Sequence, residues 1–174
     1  MADAWLVVPK RKTGKWQRYF ENLCRIIFQA GLNWQVIDGK WETTKKAFAN
    51  FDIKEIACFT DSDVQRLLKD PGIVRNKGKI KAIIQNAQNF IAIEKRYGSF
   101  QKYLDSLDKS NNYALAIKDL VNTFKWLGPP SASLFLYTVG EKIDPWWTAH
   151  FSLIVKTIFL NLIFFYNLKN VYES

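Results

Sequence analysis

The chain has 174 residues, of which 48% are hydrophobic and 16% aromatic, and its net charge is +9 at pH 7. This length suffices to bury one core, or two small lobes that share a cleft. The charge exceeds what solubility requires and favours a polyanionic partner, most often nucleic acid, although many basic proteins bind no polyanion.

Signals for metal binding and for secretion are missing from the sequence. Cys24 and Cys58 lie in apolar helical patterns and His150 is the one histidine, so we expect no zinc site and no cofactor. Such cysteines fit a reducing cytoplasm. No cationic start leads into an apolar run at the N-terminus, so we expect no secretion signal.

The first predicted element is a basic arm at residues 1–15, which ends in the cluster Lys10-Arg-Lys-Thr-Gly-Lys15. Its cations either contact phosphates or form a solvated face. A helix follows, and its apolar face is formed by Trp16, Phe20, Leu23, Cys24, Ile27 and Phe28. Gly31 ends this helix, and Trp34 then lies either at a corner of the core or on a ligand platform.

Short helices are predicted between Trp34 and Asp70, because start and stop signals alternate there. These signals are a break at Gly39, an N-cap at Asp52-Ile-Lys-Glu55, a second cap at Thr60-Asp-Ser-Asp63 and a stop at Asp70-Pro-Gly72. A long helix then begins near Lys77, with the apolar face Ile80, Ile83, Ile84, Ala87, Phe90 and Ile91.

Four cations crowd the start of this long helix: Arg75, Lys77, Lys79 and Lys81. Cations oppose the helix dipole at an N-terminus and therefore require a compensating partner. We expect the cluster to bind DNA phosphates.

A helical hairpin is predicted next, after a short helix from Phe100 to Leu107. Its first helix carries Leu115, Ile117, Leu120, Val121 and Phe124, its turn is Phe124-Lys-Trp-Leu-Gly-Pro-Pro-Ser131, and its second helix carries Ala132, Phe135, Leu136 and Val139. No stretch alternates with period two, so the predicted fold class is all-α.

The segment from Phe151 to Tyr166 is apolar nearly all round. A membrane span needs about 20 such residues, and Lys156 interrupts this run. We expect a C-terminal helix within 151–174 that packs on the body or on a partner, with membrane association as the minor alternative and no integral membrane association. The helical domain is predicted at 16–150.

Three motifs carry a resemblance to a known family. They are Gln29-Ala-Gly-Leu-Asn-Trp34, the segment from Asp70 to Ala87, and Trp126-Leu-Gly128. In order and spacing they resemble the DNA-3-methyladenine glycosylase I family of the helix-hairpin-helix glycosylase superfamily, over about Trp16 to Asp144. The resemblance implies an all-α, two-lobed repair enzyme with a central cleft that binds duplex DNA, flips out a damaged base and hydrolyses its N-glycosidic bond.

The resemblance implies roles for several residues. Trp34 matches the tryptophan that stacks on the alkylated base, and Gln29 is expected beside it. The turn with Gly128 and Ser131 matches the hairpin that holds the DNA backbone. Because two prolines follow Gly128, its donors are expected from Gly128, Ser131 and Ala132. Asp144 lies 16 residues after Gly128, where the wider superfamily keeps its catalytic aspartate.

The sequence also departs from the family. Ile26 occupies the position of the pocket glutamate, and the family's zinc-ligand pattern is missing. A purine alkylated on a ring nitrogen is a cation, so its bond to the sugar is already weak and it needs little acid assistance. We expect Trp34 to attract such a ring by about 0.5 to 2 kcal/mol, and Asp144 either to stabilise the cationic sugar or to orient the attacking water. His150 acts as a base only if it folds against Asp144.

The predicted function is that of a monomeric, cytoplasmic DNA glycosylase of base excision repair that excises alkylated purines such as 3-methyladenine. The alternative is a non-catalytic protein that binds DNA lesions and retains the fold without the chemistry.

Overall fold

The structure is a computed structural model that describes residues 16–144, and within this range helices are the regular elements. The helices are α1 (Trp16–Gln29), α2 (Trp34–Gly39), α3 (Trp41–Ala47), a 3-10 turn (Ala49–Phe51), α4 (Ile53–Ala57), α5 (Asp61–Lys69), α6 (Lys77–Tyr97), α7 (Phe100–Ser106), α8 (Ser110–Thr123) and α9 (Pro129–Thr138). The predicted all-α class is confirmed. The expectations for the arm at 1–15, for His150 and for the apolar segment at 151–174 lie outside the described residues.

Helix ends follow local capping chemistry. Gly31 adopts a φ of +72° after α1, which a residue with a side chain rarely adopts. The Asp52 carboxylate accepts hydrogen bonds from the backbone N–H groups of Lys54 and Glu55 at the start of α4. Thr60 and Asp63 form a capping box at the start of α5. The predicted stops and caps at these positions are therefore confirmed.

Two helices, α1 and α6, run through the core. α6 packs against α1, α4, α5 and α7, and α1 also packs against α9, which packs against α8. An aromatic cluster fills the space between them, with the Phe90 and Phe100 rings stacked at 4.5 Å and Phe20 edge-on to Phe90 at 5.2 Å. The described residues up to Ile143 belong to one compact unit, and a second unit begins at Asp144.

Several predicted positions are wrong. Ile91 is 37% exposed and Leu115 is 56% exposed, although both were expected on buried faces. At the start of α8, three residues from Asn111 to Tyr113 have positive φ, so the regular helix begins after them. The buried residues of this segment are Tyr113, Ala116 and Leu120, of which only Leu120 was predicted. The predicted face assumed a regular helix from Ser110 onward.

The two cysteines also differ from each other. Cys24 is buried on α1, and its burial raises the pKa of its thiol well above the usual value. Cys58 is exposed at the C-terminal cap of α4, and its predicted place on an apolar helical face is wrong.

Within residues 16–144, no helix combines the length and the apolar character that a membrane crossing requires.

Candidate functional site

The turn after α1 carries Trp34 at the surface. Asn33 caps α2, because its side-chain oxygen accepts a hydrogen bond from the Gln35 backbone N–H at 2.9 Å. Trp34 is the first residue of α2 and is partly exposed. Two flanking side chains, Leu32 and Val36, are 41% and 51% exposed. The turn therefore presents aliphatic and aromatic groups to the exterior, as a surface that stacks on a planar ligand must.

An ion pair ties α2 to α1. The Arg25 guanidinium lies 2.6 Å from the Asp38 carboxylate and 5.3 Å from the centre of the Trp41 ring. Because Asp38 lies on the same short helix as Trp34, this pair restrains the position of the Trp34 backbone.

The other predicted base-binding residues lie further into the interior. Ile26 is 2% exposed and Gln29 is 7% exposed, and both are on α1. One helical turn before Ile26, the Asn22 side-chain N–H₂ donates to the Thr138 hydroxyl at 2.7 Å. That hydroxyl in turn donates its single proton to the Phe135 carbonyl at 2.8 Å, which fixes the orientation of the Asn22 amide.

The Asn22 carbonyl oxygen is left buried without a hydrogen-bond partner in the described structure. A buried unpaired acceptor costs about 1–3 kcal/mol, so it is expected to accept a hydrogen bond from water or from a bound ligand. Asn22 was not among the predicted site residues, although its spacing of four residues from Ile26 places it on the same side of α1.

Lys79 does not belong to the exposed cation cluster. Only 2% of the residue is exposed, and its ammonium donates to the backbone carbonyls of Phe28 at 2.9 Å and Ala30 at 2.6 Å. Burial lowers the pKa of this ammonium. The prediction that Lys79 contacts DNA phosphates is therefore wrong, because its side chain is already engaged with the C-terminal end of α1.

The other three cations of the cluster are exposed. Arg75 and Lys77 precede and begin α6, and Lys81 lies one turn later. The Lys81 ammonium lies 3.3 Å from the exposed Asp61 carboxylate, an ion pair of small strength in water. The start of α6 thus presents positive charge to the exterior, as predicted, with one fewer lysine.

The predicted hairpin is present as α8, a turn at residues 124–128, and α9. α6 holds this turn through side-chain amides. The Asn86 amide is fully buried and makes two bonds with the Lys125 backbone, donating to its carbonyl at 3.0 Å and accepting from its N–H at 2.8 Å. Asn89 donates to the Thr123 carbonyl at 2.6 Å. The turn is therefore fixed to α6 as well as to its own two helices.

Trp126 lies at the tip of this turn. It has a φ of +60°, which costs about 1 kcal/mol or more for a residue with a side chain, and it is 51% exposed. A Cβ atom built on Gly78 would lie 2.7 Å from the Trp126 ring, so the absence of a side chain at Gly78 permits this contact. The Lys79 ammonium lies 5.7 Å from the centre of the same ring.

The start of α9 offers few hydrogen-bond donors. Gly128 is its N-cap, and Pro129 and Pro130 have no N–H groups. The Ala132 N–H already bonds to the Gly128 carbonyl at 2.9 Å, so the expected contribution of Ala132 is wrong. Gly128 and Ser131 remain as the residues whose N–H or hydroxyl groups can bind an anion at this end of the hairpin.

Asp144 is exposed and is the last residue that the structure describes. An ionic cluster precedes it, in which the Glu141 carboxylate accepts bonds from the Lys109 ammonium at 2.9 Å and from the Tyr113 hydroxyl at 2.9 Å. Proximity to Glu141 raises the pKa of the Lys109 ammonium against the opposing effect of its burial.

Between residues 16 and 144, no three His, Cys, Asp or Glu side chains gather to hold a metal ion. The expected lack of zinc stays a prediction.

Comparisons with known proteins agree with these motifs. The sequence model of the methyladenine glycosylase family matches residues 5–127, which include Trp34 and Trp126 but end before Asp144. The DNA-3-methyladenine glycosylase of Haemophilus influenzae is 35% identical over 88 residues, covering 51% of this chain and 48% of that protein. DNA-3-methyladenine glycosylase 1 of Escherichia coli is 36% identical over 88 residues, covering 51% and 47%. The matches thus span about half the length of these curated relatives.

Solved structures show the same fold. The 3-methyladenine DNA glycosylase I of Staphylococcus aureus superposes with a TM-score of 0.68 at 30% identity, covering 79% of this chain and 83% of that chain. A structure of 3-methyladenine DNA glycosylase I in complex with 3-methyladenine superposes with a TM-score of 0.68 at 28% identity, covering 83% and 93%.

Proposed function

This chain belongs to the methyladenine glycosylase family, and we propose that it is a DNA glycosylase of base excision repair that flips alkylated purines such as 3-methyladenine out of duplex DNA and hydrolyses their N-glycosidic bonds. One observation carries the proposal: the turn before Trp34, the cationic start of α6 and the hairpin tip are in mutual contact through Lys79 and Trp126. The groups assigned to the base and the groups assigned to the phosphates are therefore neighbours in the structure. This arrangement suits an enzyme that must hold the DNA backbone while it extrudes a base.

DNA backbone binding is assigned to exposed groups around the hairpin. Arg75 and Lys77 supply positive charge, and Gly128 and Ser131 supply hydrogen bonds at the start of α9, where the helix dipole also favours an anion. These contacts are independent of base sequence. We assign duplex DNA as the partner and a monomer in the cytoplasm as the working state.

Base recognition is assigned to Trp34 and the side of α1 that precedes it. The Trp34 ring offers a face for a cationic purine. Ile26 is buried and apolar where a glutamate is expected from the resemblance, so it supplies shape and no hydrogen bond. Asn22, whose carbonyl oxygen has no partner, supplies the acceptor on this side of α1 for a base N–H group.

The chemistry is a substitution at the sugar C1′ atom. The N-glycosidic bond breaks and its electron pair passes to the ring nitrogen, which neutralises the alkylated base. A water oxygen then bonds to C1′ and releases a proton. Asp144 is the carboxylate proposed to stabilise the cationic sugar and to accept this proton, as carboxylates do in other glycoside hydrolyses.

Two observations favour a second function. Ile26 lies where the resemblance implies a pocket acid, and the family match ends before Asp144. The second candidate function is therefore that of a protein that binds DNA lesions without cleaving them. Both functions require Trp34 and the hairpin, and only the enzyme requires Asp144.

Binding to matched methylated and unmethylated duplexes tests the shared part of the proposal. Gly128→Val is expected to lower affinity for both duplexes alike. The new Cβ lies 3.9 Å from the nearest side-chain atom, on Pro130, and the extended backbone at Gly128 suits any residue, so the free protein keeps its fold. Trp34→Ala is expected to retain affinity for unmethylated duplex and to lose the preference for methylated duplex. Trp34→Phe, which keeps an aromatic face, is the matched control. Full lesion preference in Trp34→Ala would overturn the base-site assignment.

A further inference from the structure

Three separate sequence motifs meet at one buried lysine. The Lys79 ammonium bonds the carbonyls of Phe28 and Ala30, which are the residues that lead into the turn before Trp34. On its other side, the Trp126 ring lies over the same ammonium and against Gly78. Lys79 touches neither of the exposed surfaces assigned to DNA, yet it connects them.

The electrostatics favour this position for a cation. The last carbonyls of α1 have no partners within the helix and carry the negative end of its dipole. The Lys79 ammonium bonds one of them, the Phe28 carbonyl, and also the Ala30 carbonyl just after the helix, and the Trp126 ring lies over the charge with its centre 5.7 Å away. A neutral side chain of the same length would leave both carbonyls unpaired in a buried place.

Trp126 is itself held in an uncommon conformation. Its φ of +60° is disfavoured for any residue with a Cβ, and Asn86 fixes the residue before it through two backbone hydrogen bonds. The backbone of the turn is thus held in place, and the Trp126 ring extends from it onto Gly78. A movement of the hairpin tip therefore moves the group that covers Lys79.

We propose that Lys79 is a positioning residue that sets the turn carrying Trp34, and that Trp126 couples this turn to the DNA-binding hairpin. The effect of this coupling on lesion preference rests on the proposed function. Phosphate binding at Gly128 and Ser131 restrains the hairpin tip, the tip holds Trp126 over Lys79, and Lys79 holds the carbonyls that precede Trp34. Lesion preference then depends on two residues that contact neither base nor phosphate.

The direct test observes Trp34 in the free protein. In a ¹⁵N-labelled sample, the indole N–H resonance of Trp34 is assigned by its loss in Trp34→Phe. Lys79→Met, which keeps the apolar stem and removes the charge, is expected to shift this resonance. Trp126→Ala is expected to shift it too, whereas Trp126→Phe keeps a ring over Lys79 and restores most of the original position. Lys118→Met, which removes an exposed lysine of α8, is the matched control and leaves it in place.

The second test measures coupling in DNA binding. Lys79→Met and Trp126→Ala are each expected to lower the preference for methylated duplex by roughly tenfold, which corresponds to about 1.4 kcal/mol and to the loss of one stacking contact with a cationic ring. Affinity for unmethylated duplex is expected to stay within about threefold. The double variant is expected to lose no more preference than one single variant, since residues in one network are not additive.

Two results would overturn the proposal: an unmoved Trp34 resonance in folded Trp126→Ala, or losses of lesion preference that multiply in the double variant. Circular dichroism establishes whether each variant is folded. If Lys79→Met fails to fold, the variants of the exposed residue Trp126 test the coupling on their own. A wild-type protein without lesion preference would refute the proposed function alone, because the resonance test in free protein needs no DNA.

Discussion

Replacing Gly78 with alanine places a methyl group inside the contact between α6 and the hairpin tip. The added Cβ lies 2.7 Å from one carbon of the Trp126 ring and 3.3 Å from a second. Carbon atoms in favourable contact are about 3.5–4.0 Å apart, so the ring must move by about 1 Å. Overpacking of this kind costs about 1–3 kcal/mol. Against this, alanine in place of a helical glycine stabilises by about 0.4–1 kcal/mol, since the backbone at Gly78 is not left-handed.

The two effects separate in a double-mutant cycle with Trp126→Ala. Alone, Gly78→Ala is expected to lower the free energy of unfolding by about 1 kcal/mol. In the Trp126→Ala background the clash is gone, and the same change is expected to raise it by about 0.4–1 kcal/mol. Urea titrations of the four proteins at equal m-values give the coupling energy, expected at about 1–3 kcal/mol. Equal effects of Gly78→Ala in both backgrounds, within about 0.5 kcal/mol, would show that Trp126 does not lie on Gly78 and would refute the reasoning.

Three further predictions concern individual polar side chains. Asn86→Leu leaves the Lys125 N–H without its partner, so urea titration should show that the free energy of unfolding falls by about 1–3 kcal/mol. An unchanged urea midpoint would contradict this prediction. Arg75→Ala and Lys77→Ala should each reduce the log–log salt dependence of duplex binding by about one unit in anisotropy titrations, with equal slopes arguing against phosphate contacts. The pKa of Asp63 is lowered mainly by the backbone N–H at the start of α5, so its stabilisation is present above the ordinary 3.8 and is lost as pH falls through the lower folded pKa. The difference in Tm between wild type and Asp63→Asn should therefore shrink in acid, and a constant difference would contradict this.

Local backbone chemistry made much of the fold predictable. Gly31 follows the last apolar position of α1, and its positive φ is what a helix stop of this kind requires. The two prolines after Gly128 occupy the first turn of α9, where a missing N–H costs nothing. Both signals depend on neighbours in the chain, so tertiary packing could not override them.

Tertiary partners decided the residues that were wrongly predicted. Lys79 was grouped with its charged neighbours, yet it lies four, seven and eleven residues before Ile83, Asn86 and Phe90, all fully buried. This periodicity was available in the sequence and predicts an inward direction for Lys79. What it could not provide was the partner, because the carbonyl groups of Phe28 and Ala30 lie some 50 residues away in the chain.

The place of Trp126 depended on information of a different kind. Its positive φ accompanies the Asn86 bonds to the preceding residue, and its ring occupies the space that a side chain at position 78 would take. Neither appears in hydrophobic periodicity. Asn22 is similar, since its unpaired oxygen follows from the direction of the Thr138 hydroxyl proton on another helix.

We propose that the chain cleaves N-glycosidic bonds although Ile26 lies where the resemblance implies a pocket acid. Release of free base from methylated duplex DNA under single-turnover conditions tests it most directly, with wild type, Asp144→Asn and a no-enzyme control run together. Wild type is expected to release methylated purine well above the control, and Asp144→Asn is expected to release it on the order of 10²-fold more slowly while it retains affinity for methylated duplex. Equal release from all three samples, alongside intact preference for methylated duplex, would contradict it and identify a protein that binds lesions without cleaving them.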